Sequence, residues 1–270
     1  TGSVTEGPAI QGNLQWTFVT DKPLLSSPAV VEGVVYQTTG DRRVVALNAN
    51  DGSLIWEYPT SGPIDSSPAV TGGMVYFGQR DGEFTALNSD TGTVLWGFSA
   101  GNPIIGSPVV DLGVVYLGSG NGFMYALDAQ TGEELWRFDA HQWIIASVAL
   151  HEEVVLVTNS SGRMFALDRR TGERRMRFAA DQALVSTGAL ADDRLYLGSA
   201  LGRLVAIDPL QKEYPLESKA KYWQAQAWAW GLRDSLPTPR GLVWIRAFGR
   251  RAAIGAPAVV GDTVYITLSV

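Results

Sequence analysis

The stretch ALDAQTGEELWRF, residues 126–138, decides the fold because near-copies of it recur along the chain. Similar stretches begin at Ala46, Ala86 and Ala166, so the step is 40 residues. The same step separates the tryptophans Trp16, Trp56, Trp96 and Trp136. Met176 stands where the next tryptophan is due. A fixed period of this length is the sequence signature of a repeat architecture.

Each repeat predicts four short strands, named A to D. In the second repeat these are SSPAV (66–70), MVYFG (74–78), DGEFTAL (81–87) and TVLWGF (93–98). The apolar runs are short, rich in β-branched and aromatic residues, and bounded by Gly, Asp and Asn, which is typical of strands joined by turns. The sequence therefore predicts an all-β fold, a β-propeller built from four-stranded antiparallel blades.

The period breaks after Asp208, where 209–240 forms an insertion. The stretch RGLVWIRAF at 240–248 resembles a D strand, so the insertion is expected within one C–D connection. We expect a single domain over 1–270. Six blades are the preferred count, with an N-terminal strand around Trp16 closing the ring. The missing C strand would come from 1–10 or from outside this sequence.

A count of seven blades is the alternative. It would make residues 222–232 and 241–248 the A and B strands of a further blade. Only about six residues would then remain for its C and D strands, fewer than two average strands need.

The recurrent residues have structural explanations. Asp128 can accept backbone N–H bonds in the turn after strand C. Gly132 can adopt a positive φ there. Trp136 can pack across neighbouring blades while its N–H bonds a carbonyl. Ala126 is small where a neighbour must approach. We therefore expect structural docking roles for Trp16, Trp56, Trp96, Trp136 and Trp244.

The pattern AxDxxTGxxxW resembles the tryptophan-docking motif of PQQ-like, quinoprotein-type β-propeller repeats, and the resemblance covers about 16–208 and 241–268. Such repeats occur in quinoprotein dehydrogenases, in BamB-like outer-membrane assembly lipoproteins and in sensor domains of bacterial kinases. Met176, which replaces a tryptophan, is expected to loosen its blade contact. The stretch AIDPLQKEYPL, from Ala206, lacks the Thr-Gly pair.

The composition excludes several classes of protein. A net charge of −6 over 270 residues argues against a nucleic-acid partner. The apolar runs are shorter than the roughly 18 residues of a membrane helix, so we expect no transmembrane segment. A lipid anchor would lie outside this sequence. With no cysteine, the chain has no thiol nucleophile or thiolate metal site.

A quinone-binding or small-ligand-binding enzyme is the alternative function. The resemblance would then imply a Ca²⁺ site and usually a cysteine pair, and neither is visible in the sequence. His141 and His151 fall in loops expected on opposite faces, which favours two separate surface histidines over a shared zinc site. The serine pairs at 26–27 and 66–67 have no neighbouring base that could activate a nucleophile. We therefore interpret them as small residues in a crowded place. We predict no catalytic, metal or cofactor-binding residues, and no cofactor.

Two surfaces are candidates for a protein partner. The first gathers loops before strand A and between strands B and C, with Arg42, Asp65, Arg80, His141, Trp143, Arg163 and Arg203. Trp143 replaces a proline of the sister repeats, and exposed Trp beside Arg is typical of binding hot spots. The alternative for Trp143 is packing at the channel mouth or on the next blade.

The second surface is the insertion, which contains three of the nine tryptophans. Leu216, Ala220, Trp223, Ala227 and Trp230 have the spacing of one helix face. Ser218 is the expected N-cap and Gly231 the expected end.

Either this aromatic stripe packs on the protein's own sheets, or aromatic side chains remain exposed for a partner. The candidate contacts are Tyr222, Trp223, Trp228 and Trp230.

From these surfaces together with the family resemblance, we expect a non-catalytic protein-binding or scaffold domain of the bacterial cell envelope. It would act as an assembly factor or as an extracellular sensor or adhesion domain. The resemblance alone implies an extracytoplasmic location.

Overall fold

The computed structural model describes residues 14–179, 188–199, 202–211, 217–230, 232, 241–248, 253–254, 257–260 and 263–269. The chain forms two compact units. Unit 1 comprises residues 1–148 and 157–160, and unit 2 comprises residues 149–156 and 161–270. The 1–10 segment, proposed as a C strand, lies outside the described residues.

Unit 1 contains three four-stranded antiparallel sheets, each with its strands in chain order. The first consists of β1 (Ala29–Val31), β2 (Val34–Thr39), β3 (Arg43–Asn48) and β4 (Leu54–Pro59). The second consists of β5 (Ala69–Thr71), β6 (Met74–Gly78), β7 (Glu83–Asn88) and β8 (Val94–Ser99). The third consists of β9 (Val109–Asp111), β10 (Val114–Gly118), β11 (Phe123–Asp128) and β12 (Glu134–Asp139).

Two further four-stranded sheets follow along the chain. One consists of β13 (Ala149–His151), β14 (Val154–Thr158), β15 (Arg163–Asp168) and β16 (Arg174–Ala179). The other consists of β17 (Ala189–Ala191), β18 (Arg194–Gly198), β19 (Arg203–Ile207) and β20 (Leu242–Ala247). The described residues also contain two short strand pairs: β21 (Ala253–Ile254) with β24 (Leu268–Ser269), and β22 (Ala258–Val260) with β23 (Thr263–Tyr265).

Strands C and D pair in the same register in each four-stranded sheet, which explains why the motif has an alanine. Ala126 lies directly opposite Trp136 and is fully buried, and the ladder shifts at a β-bulge immediately after it. A bulge follows the equivalent alanine in each of the five four-stranded sheets. A small residue is needed there because a large side chain occupies the facing position, an indole in four of the sheets and Met176 in the other.

Two tryptophans of unit 1, Trp56 and Trp96, also contact the sheet that follows. The Trp56 indole N–H donates to the Ser89 carbonyl at 2.7 Å, and Trp96 donates to the Ala129 carbonyl at 3.0 Å. A Cβ atom on Gly92, which has φ +69°, would lie 2.7 Å from the Trp56 ring. The turn glycine therefore provides both the positive φ and the space for the indole, as the sequence predicts.

The N-terminal tryptophan docks in the same way without a strand around it. Trp16 donates to the Ala49 carbonyl at 2.9 Å and covers Gly52. Residues 14–20, however, have no strand conformation. The prediction of an N-terminal strand is therefore wrong for these residues, because the indole alone makes the contact.

The methionine that replaces a tryptophan is buried at the same place in the repeat. Met176 is fully buried in the apolar cluster that includes Leu197 and Ile207. A Cβ atom on Gly241 would lie 3.0 Å from the Met176 sulfur, and Gly241 has φ +74°. The expected loosening is not seen, because a flexible thioether can adapt to the space left by an indole.

One helix, α1 (Glu217–Ala229), lies in the connection between β19 and β20. The strand assignment for 222–232 that seven blades would require is therefore wrong. The helix begins one residue before the expected N-cap, Ser218. The Asp208 N–H donates to the Gly241 carbonyl at 2.7 Å, so the two ends of the insertion are adjacent.

Serines at the repeat step connect the strands A of unit 1. The Ser27 N–H donates to the Ser67 hydroxyl, Ser67 to Ser107, and Ser107 to Ser147, each at 2.9 Å. A Cβ atom on Gly106 would lie 2.8 Å from the Ala146 carbonyl oxygen. The serines therefore have the structural role that their repetition predicts, at a place crowded enough to require small residues.

We expect Gly92→Ala to destabilise unit 1 by about 1–2 kcal/mol more than Gly101→Ala does. Gly101 has a similar φ of +71° but nothing within 4 Å of an added Cβ, so it isolates the backbone strain from the clash with Trp56. Urea unfolding of both variants measures the difference. Equal losses of stability would show that the glycine–indole contact contributes nothing.

We also expect a chain in which residues 211–239 are replaced by a short glycine linker to unfold cooperatively. The reason is the backbone bond between Asp208 and Gly241, which already holds the sheet ends together. Circular dichroism melting checks this expectation. Loss of the cooperative transition would show that the insertion belongs to the core.

Candidate functional site

The repeated turn residues are occupied by structural bonds. Asp128 accepts the backbone N–H groups of Gln130 and Thr131, both at 2.9 Å. The N–H of Thr131, above all, holds the pKa of Asp128 below its ordinary value of 3.8. Asn88 and Asp168 make equivalent bonds. The motif therefore describes turn architecture.

The first B–C turn contains a charged network that the sequence reasoning missed. The Arg43 guanidinium contacts Asp41 at 2.6 Å and Glu57 at 3.2 Å, and Asp41 also accepts the Thr39 hydroxyl. The hydrogen bond from Arg43 is the main reason why the pKa of Asp41 falls from 3.8 to about 2. The neighbouring Arg42 is exposed, with φ +67°.

Other charges of the predicted loop surface in unit 1 are also paired. Arg80 contacts the Asp65 carboxylate at 2.6 Å. His141 Nδ1 lies 3.0 Å from the Asp139 carboxylate, and the His141 backbone N–H donates to Asp139 as well. These carboxylates reduce the positive character that the arginines alone would give to the loops.

Trp143 lies in the loop before β13, and 55% of its surface is exposed. Its backbone carbonyl accepts the Ser160 N–H at 2.8 Å, which fixes the loop and leaves the indole outward. Exposure of this size favours the hot-spot interpretation over packing within unit 1. Arg163 and Arg203, the other predicted members of this surface, begin β15 and β19 in unit 2.

The aromatic residues of the insertion are largely exposed. Tyr222, Trp223 and Trp230 are 58%, 63% and 64% exposed, and the Tyr222 and Trp223 rings meet edge to face at 5.5 Å. The alternative in which the Trp223–Trp230 stripe packs on the protein's own sheets is therefore wrong for these residues. The Trp228 side chain lies outside the described part. In that part, no helix has the length and hydropathy of a bilayer span.

His151 is mostly buried, which corrects the prediction of a surface histidine. Its side chain is 16% exposed, and Nε2 lies 3.5 Å from the Asp193 carboxylate. The ligand atoms of His151, Glu152 and Asp193 lie within 4.8 Å of one another. His151 ends β13, and Glu152 and Asp193 lie in two successive A–B turns of unit 2, where the repeats of unit 1 carry glycine at the position of Asp193 and the preceding repeat carries Glu153.

A cleft of 270 Å³ lies in unit 1 between the A–B turns of its second and third sheets. Tyr76 lines it, but the hydroxyl donates to the Ala129 carbonyl at 3.1 Å. Burial raises the pKa of Tyr76 to about 12, helped by the charge of Asp128. Tyr76 is therefore held as a structural donor and not as a base near neutral pH.

The family follows from a sequence comparison. The profile described as outer membrane protein assembly factor BamB matches residues 1–105 and 91–222, most of the chain. The chain belongs to the BamB family. This confirms the resemblance drawn from the tryptophan-docking repeats. Among curated proteins, the comparison finds no match.

Solved structures share the fold of this BamB-family chain. The computationally designed Ika8 protein has a TM-score of 0.71 at 16% identity, over 89% of this chain and 66% of its own. Quinohemoprotein alcohol dehydrogenase ADHIIG from Pseudomonas putida HK5 has a TM-score of 0.64 at 23% identity, over 74% of this chain and 43% of the dehydrogenase. BamB from Moraxella catarrhalis has a TM-score of 0.55 at 14% identity, over 92% of this chain and 83% of the Moraxella protein.

These comparisons show an all-β, propeller-like fold for the BamB-family chain. The chain spans less than two thirds of the designed protein and less than half of the dehydrogenase. At these identities the likeness concerns the fold, which by itself does not determine function.

The Asp41 network gives a pH-dependent stability. Because the pKa of Asp41 is depressed in the folded state, its contribution is complete above about pH 4 and is lost as the pH falls toward 2. After allowance for partial exposure, we expect Asp41→Asn to cost about 1–2 kcal/mol at neutral pH and to flatten this acid dependence. Urea unfolding between neutral pH and pH 2 measures both effects.

Glu133→Gln is the control, since it removes an exposed carboxylate for which the described residues show no ion pair. Parallel acid profiles for the natural chain and the Asp41→Asn variant would contradict the assignment.

Proposed function

We propose that the chain is a non-catalytic, protein-binding scaffold of the bacterial cell envelope, located outside the cytoplasm as the BamB family implies. The family membership supports an assembly role at the outer membrane. The observation on which the proposal rests most is the exposed aromatic surface of α1, formed by Tyr222, Trp223 and Trp230.

The α1 aromatic surface has the composition of a binding hot spot. Tyrosine and tryptophan are enriched in such sites because they bury a large area with few rotatable bonds. The side chains of Tyr222 and Trp223 pack on each other edge to face and leave their outer faces to solvent. An insertion absent from the other repeats has no architectural reason to expose them. A partner that buries both rings accounts for their presence.

A second contact surface is proposed at the loop of Trp143 in unit 1. Trp143 is exposed and follows His141 by two residues in the chain, and His141 pairs with Asp139. An exposed indole close in sequence to an ion-paired histidine matches the arrangement of protein interfaces, in which an apolar anchor is surrounded by polar groups.

The proposed architecture of this scaffold is a six-bladed ring. The five four-stranded sheets would supply five blades, and the β22–β23 hairpin would supply strands A and B of the sixth. Trp16 would contribute the docking indole of that blade, which its hydrogen bond to the Ala49 carbonyl supports.

Site-specific photo-crosslinking in the native bacterium tests the partner surface. With a photoreactive residue at position 223, we expect a discrete envelope protein to be captured. The same residue at position 135 is the control, because Leu135 is also exposed but lies on β12 of unit 1. Equal products from both positions, or no product, would contradict a specific surface on α1.

The double variant Tyr222→Ser/Trp223→Ser tests the role in assembly. Because both side chains are exposed, we expect an unchanged melting temperature and a loss of the cross-linked product. We also expect reduced outer-membrane protein levels in a strain that carries only this variant. Leu135→Ser should preserve those levels. Normal assembly in the double variant would refute this role for α1.

Addition of pyrroloquinoline quinone with Ca²⁺ distinguishes the scaffold from a quinone enzyme. We expect no change in the melting temperature, since binding to the folded state alone would raise it. A saturable rise of several degrees would favour the enzyme.

A further inference from the structure

We infer that His151, Glu152 and Asp193 form a binding site for a divalent transition-metal ion such as Zn²⁺. This site is independent of the proposed scaffold function. Its three side chains come from the end of β13 and from two successive A–B turns of unit 2, and their ligand atoms lie within 4.8 Å of one another. One imidazole and two carboxylates are a donor set that Zn²⁺ accepts, with a fourth position left for water.

The distance between His151 and Asp193 fits a bridging ion. Nε2 and Oδ1 are 3.5 Å apart, too far for a good hydrogen bond. Two ligands of a tetrahedral zinc ion, each bonded at about 2.0–2.2 Å, lie about 3.3–3.6 Å apart. The observed separation falls within this range.

The His151 ring nitrogen also lacks any other use. Nε2 is buried and has no hydrogen-bond partner in the described structure. A buried polar nitrogen without a partner costs about 1–3 kcal/mol. A bound metal ion would satisfy this nitrogen, whereas an apolar side chain at position 151 would avoid the cost entirely.

The residues of the site depart from the repeat at the position where glycine is expected. Gly33, Gly73 and Gly113 occupy the equivalent turn positions in unit 1, with φ between +76° and +79°. Asp193 keeps a positive φ of +57° and adds a carboxylate that points to His151. The turn itself does not require a carboxylate there, because glycine serves in the three repeats of unit 1.

Isothermal titration of the full chain with Zn²⁺ at neutral pH tests the site. We expect one equivalent to bind saturably and to raise the melting temperature. His151→Gln and Asp193→Asn should each weaken binding by more than about tenfold, the loss that even an outer-shell partner can cause. Asp193 is 78% exposed, so its variant should fold normally.

Glu153→Gln is the matched control within the same turn. Its carboxylate is held by Arg175 at 3.1 Å and lies outside the proposed ligand set, so we expect unchanged Zn²⁺ binding. Tetrahedral Co²⁺ absorption should appear with the natural chain and disappear with Asp193→Asn. No saturable binding, or equal binding by the natural chain and both ligand variants, would overturn the inference.

Discussion

The structure depends on the hydrogen bond from a tryptophan indole to a carbonyl in the next sheet. In unit 1, Trp56 and Trp96 each place a large apolar ring over a turn glycine and donate their single N–H to a backbone oxygen beside it. The ring contributes buried area and the N–H fixes its orientation. A tyrosine of strand B packs against the same indole, with centroids 6.0 Å apart for Tyr36 and Trp56. Sheet follows sheet because this contact recurs.

Much of the fold could be predicted from the sequence because this contact leaves a spaced signature. The alanine, the acidic or amide residue, the glycine and the tryptophan each meet a separate local requirement, so all four recur together. Trp244 was placed correctly across the insertion because its strand pairs with β19 in the same register as Trp136 with β11. The C strands could also be predicted, because each contains a nearly continuous run of buried, mostly apolar residues.

Other features could not be predicted, because they depend on contacts between residues that no period relates. Trp16 docks without a strand, since an indole needs only its target turn. The Arg43 network joins residues of one turn to Glu57 on the next strand. The group of His151, Glu152 and Asp193 was also missed. The replacement of glycine by Asp193 was a visible signal, but the burial of His151 was not.

The row of serines in unit 1 sets the distance between successive repeats. Each link joins a backbone N–H to a hydroxyl of the following repeat, so its length of 2.9 Å does not depend on the size of the surrounding side chains. The distance between successive repeats at these serines therefore does not depend on the rest of the repeat sequence. The remaining strands and loops of unit 1 can vary in sequence while the segments that lead into strands A keep one common spacing.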